Sequence, residues 1–378
     1  MGNEVWILGG AGRSGRVIAA ELLSRGVTPV LTGRDATRLA AAAERAGGGR
    51  TLVAGSLDEL TGQIRRQQPA VVINTIGPFA TTAVPIVQAC LPGGDYLDLA
   101  NDVAAVSAVL GLSSQAAAAG RTVLTGAGFG VTATESVVVR LCQDQPTPAR
   151  VRVDMVPSLS GEAGPLGDAL AGSMLDGLPG VPGGGRYQGR RYEDGRLVPV
   201  RLGGDAARLT LPDGTEVTTA GLPLGELIAA QRASGAPSVV AASSEAPSSP
   251  VVRAILPVAT ALLQLTPVRE WAKKRLARVE LKAHDRPRDH SYGHAVVTWP
   301  DGTTREGWLR LGDAQAFTGA VPAEIAHRLL AGEGRPGAFT PAALFGPSLA
   351  EACGADYLLP DDTTAVASDR LASDRPRA

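Results

Sequence analysis

A glycine-rich segment between a short apolar run and a helix-like run constrains the fold of this chain more than any other feature. Gly10, Gly12 and Gly15 form the pattern G-x-G-x-x-G directly after the β-rich run Val5–Leu8. In that context the first glycine permits a tight turn, the second lets a pyrophosphate approach the backbone, and the third allows close packing of the helix. The free N–H groups at the helix start would face the phosphates. The segment predicts a dinucleotide-binding unit; the alternative is a glycine turn that packs a nucleotide-free sheet.

Six β-rich runs alternate with helix-like segments between residue 5 and about residue 125. They are Val5–Leu8, Pro29–Thr32, Thr51–Val53, Val71–Asn74, Tyr96–Leu99 and Thr122–Leu124. The segments between them are long enough for the right-handed crossover helices that parallel pairing requires. The fold class that we predict is therefore α/β, with a Rossmann doubly wound parallel sheet.

The end of the second predicted strand distinguishes between the two nicotinamide dinucleotides. An NAD site favours Asp or Glu there, where the carboxylate accepts hydrogen bonds from the ribose 2′-hydroxyl. This chain has Gly33 and Arg34 instead, with Arg13 in the glycine loop and Arg38 in the next helix. Guanidinium groups suit a 2′-phosphate, to which they bond in bidentate fashion. We expect NADP, with NADPH favoured over NADH; the alternative is that these are ordinary surface arginines and that Asp35 contacts the ribose.

A second loop is expected to line the crevice at the carboxyl ends of the strands, where open α/β sheets bind their ligands. Asn74, Ile76 and Gly77 are candidate wall and ribose contacts. Pro78 and Phe79 would stiffen the loop below the nicotinamide, although a Gly-Pro turn after a buried strand needs no function. The predicted cofactor-binding residues are Gly10, Ala11, Gly12, Arg13, Ser14, Gly15, Gly33, Arg34, Arg38, Asn74, Thr75, Ile76, Gly77, Pro78 and Phe79.

The regular alternation of strands and helices ends near residue 150. Runs that alternate as strands do are Arg150–Val156, Tyr192–Arg201, Ala207–Leu211, Val279–His284, His294–Trp299 and Thr303–Leu311. Asp-Gly turn signals lie between several of them, so an antiparallel sheet is predicted. Residues 159–186 are rich in Gly, Pro and Ser around Asp168–Leu175, which predicts a short helix between loops that cover a substrate.

Charge and composition argue against several classes of partner. The chain has 36 Lys and Arg against 37 Asp and Glu, so no global charge attracts nucleic acid or an anionic membrane. The longest apolar run, at 255–265, is about half as long as the roughly 20 residues that cross a bilayer, so no membrane span is predicted. Three cysteines without metal-type spacing indicate a reducing compartment. We therefore expect a cytoplasmic protein without a metal site.

Several segments together resemble the saccharopine dehydrogenase-like oxidoreductases, a family that includes the trans-acting enoyl reductases. The matching stretches are Ile7–Gly15, Thr32–Arg34, Asn74–Phe79, Tyr96–Leu99, Gly126–Phe129, Thr318 and Pro336–Ala343. The resemblance implies a Rossmann NAD(P)-binding domain, an α+β domain with an open antiparallel sheet, and a carboxyl-terminal helix that returns to the first domain. It also implies hydride transfer from a nicotinamide.

The domain boundaries follow from the residues and the resemblance together. We predict an NADP-binding Rossmann domain at 1–130, a substrate and dimerisation domain at 131–335, and the returning helix at 336–360. Residues 361–378 have little to bury and are expected to be a disordered tail. A homodimer is one expected assembly.

The sequence departs from the family pattern at two places near the expected nicotinamide end. After Tyr96–Leu99 the family often continues with Gly-Glu, whereas this chain has Ala100 and Asn101. After Gly126–Phe129 the family often has an acidic residue, whereas this chain has Gly130. The fold and the cofactor therefore transfer from the resemblance, and the substrate does not.

The expected function is reduction of a C=N or activated C=C bond of a small metabolite by an NADP(H)-dependent oxidoreductase. The alternatives are a trans-acting enoyl reductase for a carrier-tethered intermediate, a protein that binds NADP without turnover, and an enzyme of net non-redox chemistry. Reduction also needs a proton source beside the hydride. The candidates are Tyr187, Tyr192, Glu135, Tyr292 and His294, each of which also has a structural interpretation.

Two later segments have more than one interpretation. Residues 284–294 carry three histidines among Asp and Arg, which is typical of a solvated hairpin loop, with substrate contact and metal binding as alternatives. Residues 251–265 are apolar and 268–279 are amphipathic and basic. That pattern indicates a core or dimer-interface helix, with an apolar substrate wall and a helix on a membrane surface as alternatives.

Overall fold

Two large β-sheets and one two-stranded sheet organise the part of the chain that the computed structural model describes. That part comprises residues 4–159, 164–165, 175, 189–246, 258, 262–263, 265–281 and 285–359. Tyr187, the tail at 361–378 and, except for Leu175, the helix predicted at 168–175 lie outside the described residues.

The strands are short, as is usual in a loop-rich chain. They are β1 (Val5–Leu8), β2 (Pro29–Gly33), β3 (Arg50–Val53), β4 (Val71–Asn74), β5 (Asp95–Asp98), β6 (Thr122–Leu124), β7 (Arg150–Val156), β8 (Gly164–Pro165), β9 (Gly189–Glu193), β10 (Arg196–Val200), β11 (Ala207–Thr210), β12 (Glu216–Gly221), β13 (Ser238–Ser243), β14 (Glu280–Leu281), β15 (Ser291–Thr298), β16 (Thr304–Leu311), β17 (Gly337–Phe339) and β18 (Asp356–Leu358).

The described helices fill the connections between these strands. They are α1 (Arg13–Ser24), α2 (Ala36–Ala46), α3 (Leu57–Gln67), α4 (Phe79–Cys90), α5 (Val103–Leu110), α6 (Ser113–Ala118), α7 (Phe129–Cys142), α8 (Gly225–Ser234), α9 (Thr266–Ala277), α10 (Ala314–Leu330), α11 (Pro341–Phe345) and α12 (Ser348–Ala352).

The first sheet has the strand order β17-β6-β5-β4-β1-β2-β3, and all of its pairs are parallel. This order confirms the predicted doubly wound Rossmann sheet. Both faces are covered: Val5 and Ile7 of β1 belong to one apolar cluster, and Trp6 and Leu8 belong to another. Because both faces are buried, β1 is apolar at every position instead of alternating.

The returning segment at 336–360 differs from the predicted helix. Gly337–Phe339 is a strand that pairs in parallel with β6, and it is followed by the short helices α11 and α12 and by β18. The edge of β6 needs a hydrogen-bonding partner, and Ala338 is buried there. The long helix that packs on the Rossmann sheet and its helices is α10. It lies close to α1, since a Cβ on Gly319 would be 2.2 Å from Val17 Cγ1.

The second sheet has the main order β10-β9-β13-β7-β15-β16-β18, and the β11–β12 hairpin is attached to β13. Most pairs are antiparallel as predicted, but β13 and β7 are parallel, so the sheet is mixed. A parallel pair becomes available because a long connection that includes α8 separates the two strands. The run at Tyr192–Arg201 belongs to the β9–β10 hairpin, and the predicted turn signal at 193–195 is confirmed, because Asp194 and Gly195 form the turn with positive φ.

Helices cover one face of the second sheet and a hairpin covers the other. A Cβ on Gly293 of β15 would be 2.8 Å from Ala133 of α7, so this residue faces the helix layer. Alternate residues of the same strand point to the opposite face, where Tyr292 packs with Trp308 and with Leu211 after β11. Among the helices that the structure describes, none is long and apolar enough to cross a membrane.

Candidate cofactor and active site

The glycine loop between β1 and α1 is built from close backbone contacts. The N–H groups of Gly9 and Gly10 donate to Thr32 O at 3.0 and 2.9 Å, which ties the loop to β2. A Cβ on Gly10 would lie 2.7 Å from Leu31 Cβ, and one on Gly15 would lie 2.6 Å from Gly9 O. No side chain fits at either position without movement of its neighbours, so the first and third glycines serve packing.

Gly12 has a different role, because it is exposed at the start of α1. It is the N-cap residue, and no side chain in the described part of the chain caps this helix end. The first turn of α1 carries no acidic residue, so nothing repels an anion from the positive end of the helix dipole. The Ser14 hydroxyl lies beside this end and accepts a 3.3 Å hydrogen bond from Gln315 of α10. Bare N–H groups and close backbone access fit a pyrophosphate.

The carboxyl end of β2 presents two arginines to solvent. Arg34 and Arg38 are both exposed. Asp35, the alternative ribose contact, is instead the N-cap of α2, and its Oδ1 accepts a 3.0 Å hydrogen bond from the Arg38 N–H. This arrangement leaves the guanidinium groups available for an anion and engages one oxygen of the carboxylate in the helix end.

The loop after β4 is held by hydroxyl groups. Thr75 Oγ1 donates to Leu8 O at 2.7 Å, and Thr82 Oγ1 donates to Ile76 O at 2.6 Å. Residues 75–79 are half-buried, and Pro78 is the N-cap residue of α4. The loop therefore has a defined shape at the carboxyl edge of the sheet.

Asn74 was predicted as a wall or ribose contact, but the structure places it in the interior with no exposed surface. Its Oδ1 accepts from the Ile76 N–H at 2.9 Å, and its Nδ2 donates to Tyr96 Oη at 3.1 Å. Tyr96 in turn donates to Asp98 Oδ2 at 2.9 Å, and Thr125 donates to Asp98 Oδ1 at 2.8 Å. This buried chain orders the loops after β4, β5 and β6, so Asn74 positions the loop from behind.

Asp98 is the carboxylate at the centre of that chain, and sequence reasoning did not single it out as functional. Burial raises its pKa to about 6 despite hydrogen bonds from Ala100, Thr125, Tyr96 and Gly126. The sequence signal is an acidic residue that directly follows Tyr96 and Leu97, within one of the stretches that carry the family resemblance. Its position behind the loops makes it an organiser of the edge.

Glu135, one of the predicted proton donors, is engaged elsewhere. It is buried in α7, where Oε1 accepts a hydrogen bond from the Thr340 hydroxyl and Oε2 accepts one from the Ala342 N–H at 2.9 Å. Burial raises its pKa to about 7. Because both oxygens bind the start of α11, Glu135 caps that helix and anchors the segment after β17.

Tyr292 and His294 lie on the face of the second sheet that is opposite to α7. The Tyr292 hydroxyl donates to Asp213 Oδ2 at 3.3 Å, in the turn of the β11–β12 hairpin. His294 is 1% exposed, stacks on Trp308 at 4.0 Å, and bonds Asp154 Oδ2 at 2.9 Å and Glu306 Oε1 at 3.0 Å. α7 begins at the carboxyl edge of the first sheet, so neither residue faces that edge.

The His294–Asp154 pair is a buried charge network. Burial alone would lower the pKa of His294, but its hydrogen bonds to Asp154 and Glu306 outweigh burial and raise it. Burial alone would raise the pKa of Asp154, but His294 and Arg152 hold it well below its usual range. Arg152 also donates to Thr219 at 3.1 Å, so the network joins β7, β15, β16 and β12.

Tyr192 and Tyr187 are the two remaining proton-donor candidates. Tyr192 is half-buried in β9 and packs against both large apolar clusters, and burial raises its pKa. Tyr187 lies outside the described residues. Within the described ranges, no group of three or more His, Cys, Asp or Glu side chains is arranged to hold a metal ion.

Glu226 is the carboxylate that sequence reasoning missed. It lies in the first turn of α8, is 1% exposed, and accepts a 3.3 Å hydrogen bond on Oε1 from Asn101 Nδ2. Its Oε2 is buried and has no hydrogen-bond partner among the residues that the structure describes. Burial raises its pKa to about 7.

Glu226 lies at the junction of the two sheets. A Cβ on Gly130, near the start of α7, would be 2.0 Å from Glu226 Oε1 and 2.7 Å from Met155 Sδ of β7. Asn101 follows β5 at the same carboxyl edge. The adjoining Gly128, Leu99 and Thr318 approach one another, since a Cβ on Gly128 would be 4.0 Å from Leu99 O and 3.9 Å from Thr318 Cγ2. The carboxyl group therefore borders the loops after β5 and β6.

One solved structure matches this protein over nearly its whole length. The saccharopine dehydrogenase (L-Glu forming) of Saccharomyces cerevisiae matches with a TM-score of 0.59 and 13% identity, over 95% of this chain and 100% of that chain. The chain has the fold of saccharopine dehydrogenase. This likeness confirms the sequence resemblance at the level of the fold.

Other matches to solved structures are partial. A short-chain dehydrogenase from Sphingobium yanoikuyae in complex with NADPH matches 32% of this chain and 70% of its own, at 18% identity and a TM-score of 0.27. A short-chain dehydrogenase/reductase from Serratia marcescens matches 33% of this chain and 73% of its own, at 18% identity and a TM-score of 0.28. Likenesses of this size support no statement about activity. The sequence matches no protein-family model and no curated protein.

Proposed function

We propose that the protein is an NADP(H)-dependent oxidoreductase that reduces a C=N or activated C=C bond of a small metabolite. The observation that carries the proposal is the uncapped, acid-free start of α1 behind the Gly10–Gly15 loop, with Arg34 exposed at the end of β2. The likeness in fold to saccharopine dehydrogenase supports the same conclusion.

The chain offers candidate binding residues for three parts of the dinucleotide. The N–H groups at the start of α1 and the Gly12 backbone would bind the pyrophosphate. Arg34 and Arg38 would bind a ribose 2′-phosphate as bidentate donors. The half-buried loop at 75–79 would form one wall for the nicotinamide ribose and ring. When bound, the reduced nicotinamide supplies a hydride, which is chemistry that no side chain provides.

The chain itself must supply the proton that completes the reduction. Glu226 is suited to hold it, because burial favours the neutral acid and Oε2 has no partner among the described residues. Glu226 would donate its proton to the atom of the double bond that does not receive the hydride, and its carboxylate would then take up a proton from solvent. Asn101 would orient the carboxyl group through Oε1.

The test is titration of the purified full chain with NADPH and with NADH, in which the fluorescence of the nucleotide reports binding. We expect tight NADPH binding and weaker NADH binding. Imines and enoyl thioesters are then screened for loss of NADPH absorbance, with products identified by mass. Absence of binding to either nucleotide would overturn the proposal. Binding without consumption across the screen would favour a nucleotide-binding protein without turnover, and product without net NADPH loss would favour non-redox chemistry.

A further inference from the structure

The outward face of α9 carries one tryptophan among basic residues. Trp271, Lys274, Arg275 and Arg278 follow at spacings of three, four and seven residues, which places them on one side of a helix. All four are exposed, and Trp271 has 64% of its surface accessible. A large aromatic side chain with this exposure is unusual for a residue type that is normally well buried.

The other three tryptophans of the chain show the contrast. Trp6, Trp299 and Trp308 are all buried. α9 packs on the protein through another side, where Ala277 is its buried residue. The outward position of Trp271 therefore does not serve the packing of this helix in the described part of the chain.

Apolar surface extends on both sides of the helix. Of the eight large apolar residues exposed in the described part of the chain, five lie between positions 258 and 279. Leu265 immediately precedes α9 with 56% exposure, and Val279 follows it with 45%. A groove of about 530 Å³ lies beside Trp271 and is lined also by Leu175, Leu276 and Val279. The exposed apolar surface is therefore a cluster and not a scatter of single residues.

The charge of this segment differs from that of the whole protein. Residues 266–278 contain Arg269, Lys273, Lys274, Arg275 and Arg278 against one acidic residue, Glu270, whereas the full chain has a net charge of −1. Glu270 forms an ion pair with Lys273 at 2.8 Å. Lys274, Arg275 and Arg278 therefore give the outward face of α9 a local positive charge, next to the exposed apolar residues.

We propose that the basic face of α9, formed by Trp271, Lys274, Arg275 and Arg278, docks the protein on an anionic lipid surface. Basic residues attract acidic headgroups, and an exposed tryptophan with neighbouring apolar side chains inserts at the boundary between headgroups and acyl chains. A lipid surface fits better than an acidic protein, because exposed large apolar residues accompany the cations and extend beyond both ends of the helix. The docking does not depend on the proposed reaction.

The experiment measures binding of the full chain to vesicles of phosphatidylcholine alone and of phosphatidylcholine mixed with phosphatidylglycerol. Cosedimentation gives the bound fraction, and intrinsic fluorescence reports on Trp271 because the other tryptophans are already buried. We expect binding to the anionic vesicles only, a blue shift on binding, and release by salt, since exposed charge pairs are screened at high ionic strength.

Two charge-reversal variants distinguish binding through the basic face of α9 from attraction by basic residues elsewhere on the surface. Lys274→Glu combined with Arg275→Glu is expected to weaken binding to anionic vesicles at least about tenfold. Arg65→Glu combined with Arg66→Glu, at two exposed positions of α3, is the matched control and should leave binding unchanged. Trp271→Ala should weaken cosedimentation while the fold, followed by circular dichroism, is retained.

Three results would overturn the proposal. These are no binding to anionic vesicles, equal binding to neutral and anionic vesicles, or equal loss in both charge-reversal variants. Poly-L-glutamate serves as the acidic polypeptide probe. If it binds the wild type through Lys274 and Arg275 while vesicles do not, the partner is an acidic protein and the lipid proposal is wrong.

Discussion

The side-chain amide of Asn101 donates a 3.3 Å hydrogen bond to Glu226 Oε1, and this contact joins the loop after β5 to the first turn of α8. The absence of a side chain at Gly130 makes room for the same oxygen, since a Cβ there would be 2.0 Å away. Asn101 and Gly130 lie in the two places where the sequence departs from the pattern of the family that it resembles. Both residues therefore accommodate the carboxyl group of Glu226, which belongs to α8.

Replacement of Glu226 by Gln is expected to change the pH dependence of stability. Burial raises the pKa of Glu226 to about 7, so its favourable contribution to folding is complete below its ordinary pKa and is lost as pH rises through 7. At about 1.4 kcal/mol for each pKa unit, the fall in the free energy of unfolding between about pH 5 and about pH 8 should be smaller in Glu226→Gln by up to about 3 kcal/mol. Urea unfolding at several pH values measures this.

The same variant tests the proposed role of Glu226 in proton transfer. Glu226→Gln should bind NADPH as the wild type does but lose most of its turnover with any substrate found in the screen. Glu44→Gln, at an exposed position of α2, is the matched control and should change neither property. Wild-type turnover in Glu226→Gln would show that another group supplies the proton.

Arg34 is expected to determine the preference for NADPH. Arg34→Ala removes a bidentate donor to the 2′-phosphate and should weaken NADPH binding about tenfold, with NADH binding unchanged. Arg45→Ala, an exposed arginine in the last turn of α2, is the control. Fluorescence titration measures both affinities. An equal loss for the two nucleotides in Arg34→Ala would contradict a 2′-phosphate site.

Two glycines of the loop should respond differently to substitution. Gly12→Asp places a negative charge at the exposed helix start and should weaken binding of both nucleotides at least about tenfold. Gly15→Ala forces a Cβ to within 2.6 Å of Gly9 O and should lower stability by about 1–3 kcal/mol. Thermal unfolding and nucleotide titration on both variants separate the effects. Normal NADPH affinity in a folded Gly12→Asp protein would remove the basis for a pyrophosphate site.

The charge network around His294 should matter for stability and not for nucleotide binding. Asp154→Asn leaves His294 and Arg152 without their buried counter-charge and should cost about 3–5 kcal/mol. The pKa of His294 is raised, so its contribution is present at low pH and is lost as pH rises through that value. The pKa of Asp154 is lowered, so its contribution is lost only in strong acid.

The loss in Asp154→Asn should therefore be larger at about pH 6 than at about pH 9. Chemical unfolding at the two pH values measures this difference. NADPH affinity should equal that of the wild type wherever the variant is folded. A selective loss of NADPH binding would place the network within the cofactor site after all.

Most strands of the first sheet could be predicted from local sequence patterns. The apolar runs of β1, β4 and β6 and the glycine loop were predicted at their observed positions, because strand burial and tight turns restrict residue type directly. The same patterns could not show that Gly337–Phe339 would pair with β6, or that β13 would lie parallel to β7. Those pairings join residues far apart in the chain, and no short window of sequence contains both partners.

The sequence by itself determined the Rossmann sheet, the candidate phosphate loop and the arginines at the end of β2, since each depends on residues within one βα unit. Only the tertiary structure decided which buried carboxyl group keeps an oxygen without a described hydrogen-bond partner. Glu135 and Glu226 are both buried acids whose pKa is raised to about 7, yet α11 occupies both oxygens of the first and leaves Oε2 of the second without a described partner. The difference arises from the packing of α7, α8 and the returning chain, which brings together groups that are distant in sequence.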